Sequence, residues 1–329
     1  MKRREFITLL GGAAVAWPVA ARAQQDERMR HIGILMALPE NDPASKPRIA
    51  AFLQGLQQLY WTVDHNLKID IRWGAADAAR ARKDAAELVA FGPDVILAST
   101  SSATTALQEA TRALPIVFVN VTDPVGAGYV VSLARPGGNI PGFAFTEYAM
   151  SVKWLELLKE VAPNVTRAAI LRDPALPSGI GQFGAIQSAA PSFGIEISPT
   201  DVRDAGNIQR FVTDFARTAN SGLIVAGSPA ALLNRNVIVA VAAEHRLPAV
   251  YFLSDFVRAG GLISYGPDGV AEYGQAATYI DRILKGEKPA DLPVQAPTKY
   301  ETVINLKTAK DLGLTLPAAL LARANAVIE

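Results

Sequence analysis

Cysteine is absent from the 329 residues, and histidine occurs only as His31, His65 and His245. The first absence removes disulfide scaffolds, thiolate metal sites, cysteine nucleophiles and a lipid-modified cysteine anchor together. It is compatible with an oxidising compartment without requiring one. The histidines open an apolar run, sit in a polar turn and end a helical stretch before Pro248; none stands in a metal-ligand or nucleophile–base pattern. The G-x-S-x-G, Walker and H-E-x-x-H strings are missing too. An excess of one charge is also lacking, since 32 basic residues face 31 acidic ones for a net charge of +1. Lys2, Arg3, Arg4 and Arg22 outweigh Glu5, so removing residues 1–23 turns that +1 into −2. No basic field calls for nucleic acid, and the remaining lysines and arginines are scattered as on solvated helix faces.

What is present begins with a basic KRR, an apolar stretch over residues 6–20, and Ala21-Arg22-Ala23, which fits an A-x-A cleavage site. The order predicts an export leader over residues 1–23, cleaved near Ala23, and a periplasmic mature protein. The apolar run falls short of the roughly 18 to 20 residues of a spanning helix, and Pro18 interrupts its end. Arg3-Arg4 before Glu5-Phe6-Ile7 resembles a twin-arginine signal; an ordinary secretory leader with an incidental arginine pair is the alternative.

After the leader, short β-rich apolar runs alternate with longer segments of helical period. Strands are expected at 31–36, 67–72, 94–98 and 116–119, with helices at 47–60, 77–91 and from 99 onward. The Pro/Gly-rich RPGGNIPG at 135–142 then breaks the pattern as a linker does. The same grammar resumes with helices at 151–161, 183–190, 207–219 and 230–245 and strands at 168–171, 194–198, 222–226 and 249–251. Half the chain is apolar, enough for two cores. The βα series running twice predicts an α/β protein of two Rossmann-like lobes with parallel sheets. A tail with a strand at 261–264, a helix at 270–285, a proline-rich linker and a strand at 303–306 can return to the first lobe and cross again as hinge strands. The expected division is 30–141 plus 260–297 for lobe I and 142–259 plus 298–329 for lobe II.

Open α/β sheets bind ligands at strand carboxyl ends, where free helix N–H groups suit an anion. Ser99, Ser101 and Ser102 are such candidates after the third strand, although one of these hydroxyls as a plain N-cap is the alternative. Asn120, Thr122 and Asp123 occupy the equivalent place after the fourth, where Asp123 before Pro124 also suits a turn. In the second half Asp173 and Ser228 follow strands in the same way; Asp173 suits either a ligand ammonium or a turn cap. Tyr251, Tyr265, Phe118 and Phe145 lie near strand ends, as an aromatic wall or as core. GIGQFG at 179–184 satisfies G-x-G-x-x-G, but Asp173 to Ser178 with two prolines separates it from its strand. A dinucleotide site needs the glycine directly after the strand, so no cofactor is expected and a flexible cleft loop is the better reading.

Four strings together resemble one family: TDPVGAGYVVSLARPGGNIPGF at 122–143, KWLELLKEVAP at 153–163, GGLISYGPD at 260–268, and the proline-rich tail at 283–324. They are similar to solute-binding proteins of ABC importers with the type I periplasmic-binding fold, in the branch that includes tryptophan- and tyrosine-binding members. Asp173 stands where an Asn-Pro often occurs, and 251–257 is a variable stretch, so the branch's ligands do not transfer directly. The expected protein is a non-enzymatic monomeric receptor that closes over a small solute, of amino-acid or aromatic type and carrying a carboxylate that suits the strand-end hydroxyls. The resemblance also implies a membrane permease with a separate ATPase as partner. A Rossmann-type enzyme and a periplasmic sensory protein of the same fold are the alternatives.

Overall fold

In the computed structural model the described residues are 29–74 and 76–329; the leader expected over 1–23 lies outside them. Five strands form the first sheet: β1 (Arg30–Met36), β2 (Leu67–Trp73), β3 (Val95–Ser99), β4 (Ile116–Thr122) and β5 (Gly142–Thr146). They are all parallel, in the order β2-β1-β3-β4-β5. Along β1, Ile32, Ile34 and Met36 face one side and Leu35 the other, all fully buried, so both faces need helical cover. One face receives α1 (Ser45–Gln58), the other α2 (Ala78–Ala90) and α3 (Thr100–Ala110).

The second sheet has seven strands: β6 (Arg167–Arg172), β7 (Glu196–Asp201), β8 (Ser221–Val225), β9 (Ala249–Tyr251), β10 (Ile263–Pro267), β11 (Tyr300–Asn305) and β12 (Ala326–Ile328). Their order is β12-β11-β10-β9-β8-β6-β7, parallel except for the β10–β11 pair. Around it lie α4 (Val152–Val161), α5 (Pro177–Ala189), α6 (Ala205–Phe215), α7 (Pro229–Leu233), α8 (Arg235–Glu244) and α9 (Ser254–Arg258). The chain then returns: α10 (Ala271–Leu284) packs on β3, β4 and α1 of the first lobe. Gln295 follows beside β5, its N–H donating to Gly142 O at 2.9 Å and its carbonyl accepting from Ala144 at 2.8 Å. Past β11, two short helices, α11 (Leu306–Asp311) and α12 (Ala318–Arg323), precede β12.

Two strands differ from the expected division of the chain. The glycine- and proline-rich stretch does not leave the first lobe; it leads into β5, and Gly142 lets that strand approach β4 so closely that a Cβ would stand 2.2 Å from Phe118 O. Residues 263–267, expected with lobe I, sit in the second sheet, because Ile263 is in register with Val250 on one side and Ile304 on the other. The chain therefore crosses between lobes three times, after Thr146, after Pro267 and after Gln295. The helix expected over 230–245 is broken at Asn234, whose Nδ2 donates to Val202 O.

GIGQFG is helical rather than a flexible loop. Pro177 at the first turn starts α5 six residues before the expected 183, since its fixed φ suits that position and its missing N–H costs nothing there. Gly179 and Gly181 are packing glycines: a Cβ would stand 1.9 Å from Asp173 O at the first and 2.3 Å from the Tyr148 ring at the second.

Candidate binding site between the lobes

The carboxyl ends of β1, β3, β4 and β5 face the N-termini of α5 and α7 across a cleft that encloses a cavity of about 40 Å³. From the first lobe it is lined by Arg48, Thr100, Ser101, Asn120, Thr122 and Phe145, among others; from the second by Ser178, Ser228, Leu232, Phe252 and Leu253. Apolar groups dominate the wall, with Phe145 and Phe252 meeting edge to face at 6.2 Å from opposite lobes. A few convergent polar groups in an apolar setting are the usual make-up of a small-molecule site.

Two residues of this edge have a strained backbone. Thr100 (φ 71°) and Asn120 (φ 56°) are both left-handed, a costly conformation for a β-branched threonine, and both line the cavity. Asn120 is held in place from α10: its N–H donates to Glu272 Oε2 at 2.9 Å, and its Nδ2 donates to Gly269 O at 3.0 Å. Its Oδ1 is buried without a partner. Burial drives the Glu272 carboxyl well above the ordinary carboxylate range; Asp268 adds to this, and the Asn120 hydrogen bond and Arg48 oppose it. The buried glutamate therefore favours its neutral form.

Arg48 escaped the sequence reading. It lies on α1 in line with Phe52 and Leu56, four and eight residues on, and all three are buried. Its Nε is buried without a partner, and among the described residues no carboxylate pairs with it within 4.0 Å. A buried guanidinium left in this way is costly unless an anion joins it. The signal was present in the sequence as a cation at the head of an apolar i, i+4, i+8 stripe.

The ten candidates divide. Ser101, Asn120, Thr122 and Ser228 line the cavity, Ser228 also capping α7 by accepting from Ala231 N–H at 3.1 Å. The other six are placed elsewhere. Ser99 is buried behind the cavity, its hydroxyl 2.5 Å from Tyr273 Oη, and Ser102 is turned to Thr100 Oγ1 at 3.2 Å. Asp123 closes a turn by accepting from Gly126 N–H at 2.7 Å. Asp173, expected to suit an ammonium or a turn cap, likewise accepts from Ala175 N–H at 2.9 Å, with Arg203 Nε, which is bonded to Asp201, 3.7 Å away. Tyr251 is core, stacked on Phe256 at 4.9 Å, and Tyr265 stacks on Tyr300 at 5.5 Å. Phe118 is also core, whereas Phe145 reaches the cavity.

The model of a family described as ABC transporter substrate binding protein matches residues 33–328, the two lobes and all three crossings. The chain belongs to this family. A tyrosine-binding protein of Clostridioides difficile is 26% identical over 296 residues, covering 88% of this chain and 82% of that protein. The solved structure of a Streptococcus pneumoniae ABC domain in complex with L-Trp is 27% identical, with a TM-score of 0.83 over 91% of this chain and 99% of that one. A conserved domain protein from Vibrio cholerae gives a TM-score of 0.85 at 26% identity, over 91% of this chain and all (100%) of the other. The matched region includes the cleft between the two lobes.

Proposed function

We propose that the chain is the exported binding component of an ABC importer, taking up a small carboxylate-bearing solute between its lobes. The closed form is then offered to a membrane permease driven by a separate ATPase, with the receptor acting as a monomer. The observation that carries the carboxylate is Arg48, a buried cation in the cavity wall whose Nε has no hydrogen-bond partner and which, among the described residues, no carboxylate approaches within 4.0 Å. A bidentate carboxylate satisfies its donors and relieves the cost of its burial. Ser101, Thr122 and Ser228 add hydroxyls around it, and the strand ends on which they sit are where such sheets bind. The tyrosine and L-Trp of the relatives carry the same carboxylate.

Binding that bridges two lobes favours the closed arrangement by the ligand's differential affinity for it. The test is mass spectrometry of whatever co-purifies from the periplasm, followed by calorimetry of that compound on wild type and Arg48→Gln. A carboxylate whose affinity falls more than roughly a hundredfold in the variant supports the reading. A solute without a carboxylate, bound equally by both proteins, overturns it.

A further inference from the structure

We infer that the cavity selects a singly charged organic acid without an ammonium group, because among the described residues its wall holds one guanidinium, with no carboxylate within 4.0 Å of it, and no carboxylate of its own. The inference rests on the reading above that the ligand carries a carboxylate, and narrows it.

Each acid near the cleft is engaged elsewhere or lies outside the cavity. Asp42 is held by Arg235 at 2.8 Å and by Ala44 N–H at 2.9 Å. Asp123 and Asp173 are turn caps, the latter with Arg203 beside it. Glu272 lies behind Asn120, accepts from that residue's N–H and is not part of the cavity wall. Asp255, Asp268 and Glu301 line the wider groove that adjoins the cavity at Arg48 and Leu253, and Arg235 and Arg258 also line that groove. Apart from the Arg48 guanidinium, the side chains that line the cavity are hydroxyls, apolar groups and the neutral amide of Asn120.

An α-amino acid brings two charges into this space. Arg48 answers the carboxylate, but the ammonium would be desolvated against Phe145, Phe252, Leu232 and uncharged hydroxyls. A buried cation without a counter-charge is strongly disfavoured. The unpaired Asn120 Oδ1 can accept one hydrogen bond, which suits a hydroxyl or a neutral N–H of the ligand, but it supplies no charge. A carboxylate attached to an aliphatic or aromatic body places its one charge on Arg48 and leaves the rest of its surface on the apolar wall.

Calorimetry on the full mature chain tests this with matched pairs that differ by the amine alone. The pairs are propionate and L-alanine, phenylpropionate and L-phenylalanine, hydroxyphenylpropionate and L-tyrosine, and indolepropionate and L-tryptophan. In any pair that binds, the acid without the amine is expected to be tighter by roughly tenfold or more, and Arg48→Gln should remove its binding. An amino acid that binds as tightly as its deamino partner overturns the inference. If that amino acid still depends on Arg48, the carboxylate reading survives and only the exclusion of the ammonium falls. A ligand indifferent to Arg48→Gln removes both. Should neither series bind, the solute released from the purified protein by denaturation is treated with an amine-reactive reagent and weighed. An unmodified carboxylic acid supports the inference and an amine-tagged compound overturns it.

Discussion

Asp42 Oδ2 and Arg235 Nη1 meet 2.8 Å apart across the cleft, one from the turn before α1 in the first lobe and the other from the start of α8 in the second. Their side chains are only 9% and 12% exposed, and each has a second anchor: Asp42 accepts from Ala44 N–H, and Arg235 donates to Leu232 O. The pair bridges the lobes, so it stabilises this arrangement of the two without requiring a ligand. Asp42→Asn is expected to raise the radius of gyration of the ligand-free protein and to weaken ligand binding by roughly tenfold. Small-angle scattering and calorimetry read the two effects. An unchanged scattering curve with unchanged affinity would show that closure does not depend on this contact.

Arg48→Met keeps an unbranched apolar stem on α1 but removes a buried charge that, among the described residues, has no carboxylate within 4.0 Å. Replacing such a charge by an apolar group of similar volume is often neutral or stabilising. The ligand-free variant is expected to melt at or above the wild-type temperature while losing ligand binding. A variant that melts several degrees lower would mean that Arg48 holds the fold rather than a ligand.

Thr122 and Asp173 separate the cavity from its surroundings. Thr122 lines the cavity, and a hydrogen bond to a charged group contributes about 1.5 to 3 kcal/mol, so Thr122→Val should weaken binding by roughly ten- to over a hundredfold. Asp173→Asn should leave affinity unchanged, because its carboxylate serves Ala175 N–H and Arg203 outside the cavity wall. Titration of the co-purified solute into both variants gives the answer, and the reverse ranking would relocate the site to the second lobe's loops.

Glu272 makes stability depend on pH. Its carboxyl is raised in the folded protein, chiefly by burial, so between its unfolded and folded values the native state holds a proton that the unfolded chain has released. Stability therefore falls as pH rises through that window, starting above the model-peptide value of about 4.3. Glu272→Gln can still accept from Asn120 N–H and carries no charge to bury. It is expected to melt higher than wild type at pH 8 and the same at pH 4. Thermal melts across that range, showing equal temperatures for both proteins at both pH values, would count against the buried neutral carboxyl.

Gly181→Ala is the check on the helical GIGQFG. A methyl at this position meets the Tyr148 ring, which also packs by Gly126 at the first crossing between lobes. The overlap is expected to cost about 1 to 3 kcal/mol, seen as a lower urea midpoint. Gly184, with nothing within 4 Å of a Cβ, should accept alanine without loss. Equal midpoints for the two variants would disprove the tight packing.

The alternation of buried strands with helices was legible because β1, β3, β4, β6 and β8 are short continuous apolar runs between helical periods. What the sequence does not carry is the sheet that a short strand joins. The apolar faces of β5 and β10 look alike in composition, and only the register with Phe118 or with Val250 and Ile304 decides. Of the polar residues after strand ends, Ser101, Asn120, Thr122 and Ser228 are placed in the cavity wall. Ser99, Asp123 and Asp173 satisfy the same rule yet spend their side chains on Tyr273, Gly126 and Ala175, contacts that arise from the local turns. Arg48 was passed over because a cation on a helix reads as solvated surface. The burial of Phe52 and Leu56 on the same stripe is what turns it inward.

The first sheet is not complete until α10 covers it, and α10 is Ala271–Leu284, separated from β5 by nearly all of the second lobe. During synthesis, the apolar face formed by Ile32, Ile34, Leu97 and Val119 has α1 as its only early cover and waits for Tyr273, Ala276 and Ile280. The amino-terminal half thus leaves that apolar surface without its α10 cover until most of the second lobe has been made. A chain that terminates within the second lobe has two incomplete halves rather than one finished domain and a fragment.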